Sequence, residues 1–397
     1  MRVLSVGNMY PPHHLGGYEL VWRSAVEHLR RSGHAARVLT SDLRLGRVSA
    51  ADDPDVHREL RWYWREHRFP WRWPPARVRL ERHNAAVLRA HLDDFAPDVV
   101  AWWSMGGMSL SLIGQAARAG VPAAAFVHDD WLLYGPRVDQ WTRLAGRPGI
   151  AGVAGRTTGV SPGFDPAGVA SWRFVSEATR RRALQRRPDL PDHAVLPAGV
   201  ARLFLDPAPP RAWDWRLLYA GRVDARKGIE TAIDALTELP EGARLTVLGA
   251  GDERHLARLR ARAGQRGLEG RVDFSPPVDR DVVAAAYAGA DAVVFPVTWE
   301  EPWGLVPLEA MGRGRPVVAT GRGGSGEYLR DGVNCLLFDA RDVTALRGRL
   351  AELAGDPELR ARLVAGGLAT ARAHTEDDFH AGVVATLERV AGGAAAR

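Results

Sequence analysis

One pattern constrains this chain more than any other: short apolar strands alternate with helical stretches, the alternation breaks at a Pro-rich segment, and it then starts again. In the first half, residues 2–6, 37–40, 99–103 and 123–128 read as strands, with helices over 18–31 and 109–119. In the second half, strands are expected at 216–219, 245–248, 293–295 and 317–319, with helices over 229–236, 255–266 and 305–313. Consecutive parallel strands need a crossover, and a helix supplies it, so each half predicts a doubly wound parallel sheet. The break, Leu205-Asp206-Pro207-Ala208-Pro209-Pro210, reads as a linker with a hinge near 205–214. The expectation is an α/β chain of two Rossmann-like domains, 1–205 and 206–376, facing each other across a cleft. A last helix, near 377–390 within the segment 377–397, is expected to pack back on the first domain. A length of 397 residues suits two such cores. Ligands of such sheets bind at the carboxyl ends of the strands, so the loops there carry the functional reading.

Composition excludes several classes. Hydrophobic residues at 46% and charged residues at 25% match a water-soluble globular chain, and no apolar run has the length of a membrane span. The first residues, Met1-Arg2-Val3-Leu4-Ser5-Val6-Gly7, read as a strand rather than a leader peptide. Cys335 is the single cysteine, which rules out an intramolecular disulfide and a cysteine-based metal cluster. The expected location is the cytoplasm, with peripheral attachment at the inner membrane surface left open. The net charge of +6 is spread along the chain without a nucleic-acid-binding motif, so nucleic acid is not an expected partner. Of 53 basic residues, Lys227 alone is lysine and the rest are arginine, which singles out the place where it sits.

That place is the first of four strand-end features in the second half. Gly221-Arg222-Val223-Asp224-Ala225-Arg226-Lys227-Gly228 follows a strand, and its Arg222 and Lys227 can clasp a diphosphate as a planar fork and a point charge, although a solvated basic turn has the same look. Leu248-Gly249-Ala250-Gly251-Asp252 follows the next strand, and Gly249 there permits close approach to backbone. Next comes Trp299-Glu300-Glu301-Pro302-Trp303-Gly304-Leu305-Val306-Pro307-Leu308-Glu309. It sets Glu301 in a loop and Glu309 in a helix, with Gly304, Leu305 and Val306 at a helix start whose free amides suit phosphate. One carboxylate can accept bonds from sugar hydroxyls and the other from a ribose diol. The fourth feature, Gly321-Arg322-Gly323-Gly324-Ser325-Gly326, has the spacing of a dinucleotide fingerprint but precedes only a few residues before the Asp331-Gly332 turn. It reads instead as a backbone loop beside a donor sugar.

In this order these residues resemble the family 4 retaining glycosyltransferases of the GT-B fold, over nearly the whole chain and most densely from about Leu217 to Asp339. The most specific element is the pair of glutamates, Glu301 and Glu309, with seven residues between them. The resemblance implies that Arg222 and Lys227 bind the donor diphosphate, Glu301 contacts the transferred sugar, and Glu309 the ribose. It also implies that the amides of Gly304 to Val306 face sugar and phosphates, and that Val278 lies near the base. In the first half, Tyr10-Pro11-Pro12-His13-His14-Leu15-Gly16-Gly17 is similar to the family's glycine loop, with Gly16 and Gly17 close to diphosphate or acceptor. Val127-His128-Asp129 is similar to its His-Asp pair at a strand end. Two departures, Gly326 in place of proline and Ala198 in place of asparagine, concern loop geometry.

The implied reaction moves a sugar from a nucleoside-diphosphate sugar, a co-substrate rather than a cofactor, with retention at the anomeric carbon. Leaving-group charge would be met by Arg222, Lys227 and the helix start, so no metal is expected. His128 is a candidate catalytic base, with a sugar-contacting or orienting role preferred, and a structural role is also compatible with its position. The acceptor (glycan, lipid carrier or aglycone) is not specified by the sequence. Ten of the 14 tryptophans lie in the first 200 residues, and Trp62, Tyr63, Trp64, Trp71 and Trp73 crowd together with Arg61, Arg65, Arg68 and Arg72. Trp62, Trp64, Trp71 and Trp131 are candidate acceptor contacts, although a packed subdomain would have the same composition. A nucleotide-sugar 2-epimerase of the same architecture and a non-catalytic sugar-nucleotide sensor are the competing readings. An epimerase would turn over donor alone.

Overall fold

The computed structural model describes residues 1–45, 53–64, 68–147 and 149–395. Among them, thirteen strands form two sheets. The first contains β1 (Arg2–Val6), β2 (Ala35–Ser41), β3 (Val56–Leu60), β4 (Val99–Trp102), β5 (Ala123–Val127), β6 (Ser171–Phe174) and β7 (His193–Val195), in the order β3-β2-β1-β4-β5-β6-β7. The second contains β8 (Arg216–Ala220), β9 (Arg244–Leu248), β10 (Val272–Ser275), β11 (Ala292–Phe295), β12 (Val317–Ala319) and β13 (Leu336–Leu337), in the order β10-β9-β8-β11-β12-β13. Every strand pair in both sheets is parallel. Each order reverses direction once, between β1 and β4 in the first sheet and between β8 and β11 in the second. At such a switch point the loops leave on opposite sides and open a crevice, where ligands bind.

Sequence dictates the central strands directly. All residues of β4, β5 and β11 are buried, as expected for strands covered on both faces. In the first sheet the indoles of Trp22 and Trp103 both donate to the Ser5 hydroxyl, at 2.7 and 3.0 Å, so one serine on β1 satisfies two buried donors. In the second sheet, Ile229 and Ile233 of the helix Ile229–Ala235 share one buried hydrophobic cluster with Leu217, Tyr219 and Val294.

Two compact units result: Met1–His14, Tyr18–Leu196 and His380–Arg397 in one, Leu15–Gly17 and Pro197–Phe379 in the other. The boundary therefore falls at Leu196/Pro197 rather than at 205/206. The reason is that the Pro-rich stretch is not a free linker. Phe204 is buried, the Ala208 amide donates to the Arg313 carbonyl at 3.1 Å, and Arg315 donates to the Pro209 carbonyl at 3.1 Å. These bonds tie 204–209 into the second unit. The last helix, Glu376–Ala395, groups with the first unit from His380 on, where His380 meets Ser24 at 2.9 Å and Arg389 binds Asp192 at 2.6 Å.

Candidate active site

The loops after β8 and β11 meet at the switch point of the second sheet. The sole lysine sits there, and its ammonium lies 3.0 and 2.8 Å from the two oxygens of Glu301. Both side chains are largely buried, at 13% and 12% exposure, and the Trp299 indole donates to the same carboxylate at 2.7 Å. The guanidinium of Arg226 covers the Trp299 ring at 4.2 Å, which fixes the indole from its other face. Arg222 is bound to Asp224 at 2.9 Å, and Arg226 to the same carboxylate at 3.2 Å. Burial acts to raise the Asp224 carboxyl, but hydrogen bonds from Arg226 and the charges of both arginines hold it below its usual range. Five cations and four carboxylates thus pair around these strand ends, the remaining pairs being Arg280–Glu309 at 3.6 Å and Arg322–Glu300 at 2.9 Å.

Two glycines shape the backbone here. Gly249 has φ 151°, and a Cβ on it would stand 2.0 Å from the Gly221 carbonyl oxygen, so the loops after β8 and β9 touch only because it is glycine. Gly323 has φ 68° and bridges to Glu301, whose carbonyl accepts the Gly324 amide at 2.7 Å. The segment 321–326 therefore fixes the Glu301 backbone. It turns through the short 3-10 segment Gly324–Glu327 and opens no crossover helix, unlike a dinucleotide fingerprint.

Gly304 caps the helix Leu305–Gly312 in the left-handed region, and Leu305 and Val306 form its first turn. Glu309, on that helix, accepts the Tyr287 hydroxyl at 2.9 Å. Burial raises its pKa, countered only in part by Arg280 and Tyr287. Val278 is exposed, in the loop between β10 and the helix Arg280–Gly289.

In the first unit, His128 follows β5, packed beside the rings of Tyr18 at 5.1 Å and Trp103 at 5.9 Å. Burial pushes its imidazole down to about 3. Burial pushes the neighbouring Asp129 carboxyl up to about 6, against hydrogen bonds from the Tyr134 hydroxyl at 3.0 Å and the Trp131 amide. Gly16 and Gly17, which group with the second unit, lead into the helix Gly17–Arg31, and nothing lies within 4 Å of the place a Cβ on Gly17 would take.

The aromatic segment divides. Trp131 is fully buried against Phe164 and Trp172, and Trp62 is buried with its indole donating to the Gly106 carbonyl at 3.0 Å. Both are buried residues of the first unit. Trp64 stacks on Trp62, while Trp71 and Trp73 are 59% and 71% exposed. Arg65 lies outside the described residues. Sequence reasoning assigned no role to Trp299, Tyr287 or Arg280, which position the two glutamates. Trp299 lies inside the glutamate segment and was the one within reach. It also missed a buried cluster in which Arg77 bonds Glu81 at 2.5 Å and Asp139 at 2.7 Å.

Two Rossmann-like parallel-sheet units with charged strand-end loops define a protein of the GT-B class. Residues 209–368 match the family model described as Glycosyl transferases group 1. A D-inositol 3-phosphate glycosyltransferase of Frankia alni is 31% identical over 291 residues, 68% of this chain and 68% of that protein. Another, from Xylanimonas cellulosilytica, is 37% identical over 211 residues, 53% of this chain and 46% of that one, so the chain spans about half the length of that curated relative. Among solved structures, a sucrose-phosphate synthase of Thermosynechococcus elongatus matches with a TM-score of 0.74 at 18% identity, over 99% of this chain and 100% of that one. The chain belongs to the group 1 glycosyl transferases, with the GT-B fold. Among the described residues, no helix is long and apolar enough to cross a membrane.

Proposed function

We propose that this chain is a cytoplasmic retaining glycosyltransferase that moves a sugar from a nucleoside-diphosphate sugar to an acceptor hydroxyl. The observation that carries the reading is the Lys227–Glu301 pair at the switch point, with Arg222 on the adjoining loop. In the reaction the bond from the anomeric carbon to the diphosphate breaks, and a bond to the acceptor oxygen forms on the same face. The acceptor proton passes to the departing phosphate oxygen. Negative charge grows on the diphosphate, and Lys227, Arg222 and the amides of Leu305 and Val306 stabilise it without a resident metal. Glu301 accepts hydrogen bonds from the sugar, and Glu309 from the ribose.

His128, with its imidazole pushed down to about 3, is neutral at working pH and a weak base. It therefore orients a hydroxyl rather than removing its proton. The exposed Trp71, with Trp64, borders the acceptor. The curated relatives are named for D-inositol 3-phosphate, so phosphorylated cyclitols join glycans, lipid carriers and aglycones as acceptors to test. Family membership speaks against the 2-epimerase reading.

The test is a thermal-shift panel of UDP-, GDP-, ADP- and dTDP-linked sugars on wild type and Lys227→Ala. One nucleotide family should stabilise wild type, by about 2.7 kcal/mol at one hundred times its Kd, and should not stabilise the variant. No shift with any donor would overturn the proposal. Turnover of donor without acceptor to an epimeric sugar would favour the epimerase instead.

A further inference from the structure

The far edge of the seven-stranded sheet carries a cluster of ligand-type side chains that sugar transfer does not use. His57 and Glu59 stand two apart on β3, so the pleat sends both to one face. The helix Pro74–Phe95 contributes His91, and its His83 donates to the Glu59 carbonyl at 2.9 Å. His57 Nδ1 lies 3.2 Å from Glu59 Oε1, and His91 Nε2 lies 3.3 Å from Glu59 Oε2. The two rings meet edge to face at 4.7 Å, and the three ligand atoms all fall within 4.8 Å of one another.

These spacings fit a metal. Tetrahedral zinc with bonds of about 2.0–2.2 Å separates neighbouring ligand atoms by roughly 3.3–3.6 Å. A turn of the Glu59 carboxylate brings one oxygen between the two imidazoles. His91 is buried while Glu59 is 48% exposed, so the cluster has a rigid wall and an open side through which an ion and its water can enter. Arg37 faces the other nitrogen of His91 at 3.4 Å and is held by Asp94 at 2.7 Å. Metal on Nε2 moves the ring proton to Nδ1, and Arg37 keeps Asp94 as its partner.

We propose that His57, Glu59 and His91 bind one divalent transition-metal ion of the Zn²⁺ class, completed by water, which ties the edge strand β3 to the helix Pro74–Phe95. Two imidazoles and one carboxylate select zinc over magnesium, which prefers an all-oxygen shell. The ion acts on stability and adds to the bonds that hold this sheet edge against the helix.

The test uses the full chain without a histidine tag, stripped with EDTA and titrated with Zn²⁺ by calorimetry, with melting followed in parallel. One equivalent should bind and raise the melting temperature, reversibly with EDTA, and Mg²⁺ should do neither. His57→Ala and Glu59→Gln each alter a partly exposed side chain, so folding, checked by circular dichroism, should persist. Each should weaken Zn²⁺ binding by about 100-fold or more, the upper end of what even outer partners cost. His83→Ala should bind as wild type does. No uptake by wild type, or unchanged uptake by the doubly substituted His57→Ala/Glu59→Gln chain, would overturn the assignment.

Discussion

Removing the Lys227 ammonium should destabilise the second unit before it says anything about binding, and the two effects can be separated. The pair is short, at 2.8 Å, and nearly dry, at 13% and 12% exposure. At an effective dielectric of about 20, its gross attraction is roughly 6 kcal/mol, and desolvating the two ions costs a comparable several kcal/mol. The net value of the pair is thus near zero, but the value of one partner is not. Lys227→Ala leaves the Glu301 carboxylate with the neutral Trp299 indole as donor in place of an ammonium. Stranding a buried charge costs about 3–5 kcal/mol, and the slight exposure argues for the lower end. For a unit of this size, about 3 kcal/mol lowers the melting temperature by roughly 6–12 °C. Lys227→Met/Glu301→Gln removes both charges and should melt within about 1 kcal/mol of wild type. Neither variant should be stabilised by a nucleotide sugar. If Lys227→Ala melts with the double variant, the stranded-charge reasoning is wrong. If the double variant folds and still binds donor as wild type does, Lys227 is not a diphosphate ligand.

Four further predictions concern the first unit. His128 has a folded value near 3 against an ordinary 6.5, so its contribution to stability is present above pH 6.5 and is lost as pH falls towards 3. His128→Gln should flatten the fall of the urea midpoint across that window, by at most about 1.4 kcal/mol per pH unit, and an unchanged slope would refute the burial argument. Asp129 carries the opposite sign: raised from 3.8 to about 6, its contribution is present below 3.8 and is lost as pH rises through 6, so Asp129→Asn should help most near neutrality. Trp131→Ala should cost about 3–5 kcal/mol as a buried aromatic truncation. Trp71→Ala should leave melting unchanged and raise acceptor KM far more than donor KM, and an unaltered acceptor KM would remove the acceptor role.

What the sequence discloses and what it hides divide along a physical line. Strands buried on both faces, such as Val99–Trp102 and Ala292–Phe295, announce themselves as continuous apolar runs between turns. His193–Val195 and Leu336–Leu337 are too short to show any period, and only pairing to a neighbour makes them strands. Tryptophan content cannot tell inside from outside, so Trp131 and Trp71 look alike until the fold buries one. The Pro-rich segment reads as a linker because proline breaks elements, yet carbonyls freed from a ladder can still accept bonds, and those of Asp206 and Pro209 accept from Arg313 and Arg315. The site follows the same division. Topology decides which loops meet: in a sheet ordered β10-β9-β8-β11-β12-β13, the ends of β8 and β11 must adjoin. Residues 74 positions apart, such as Lys227 and Glu301, can thus be assigned to one place from strand-end motifs alone. That they neutralise each other depends on side-chain reach across that place, which no one-dimensional spacing encodes. Such neutralisation bears on catalysis, because a diphosphate brought beside Glu301 would meet a bare carboxylate if the ammonium did not stand between them. On the proposed function, the lysine would serve the donor twice, as a ligand for the phosphates and as the counter-charge that lets a carboxylate approach the same sugar nucleotide.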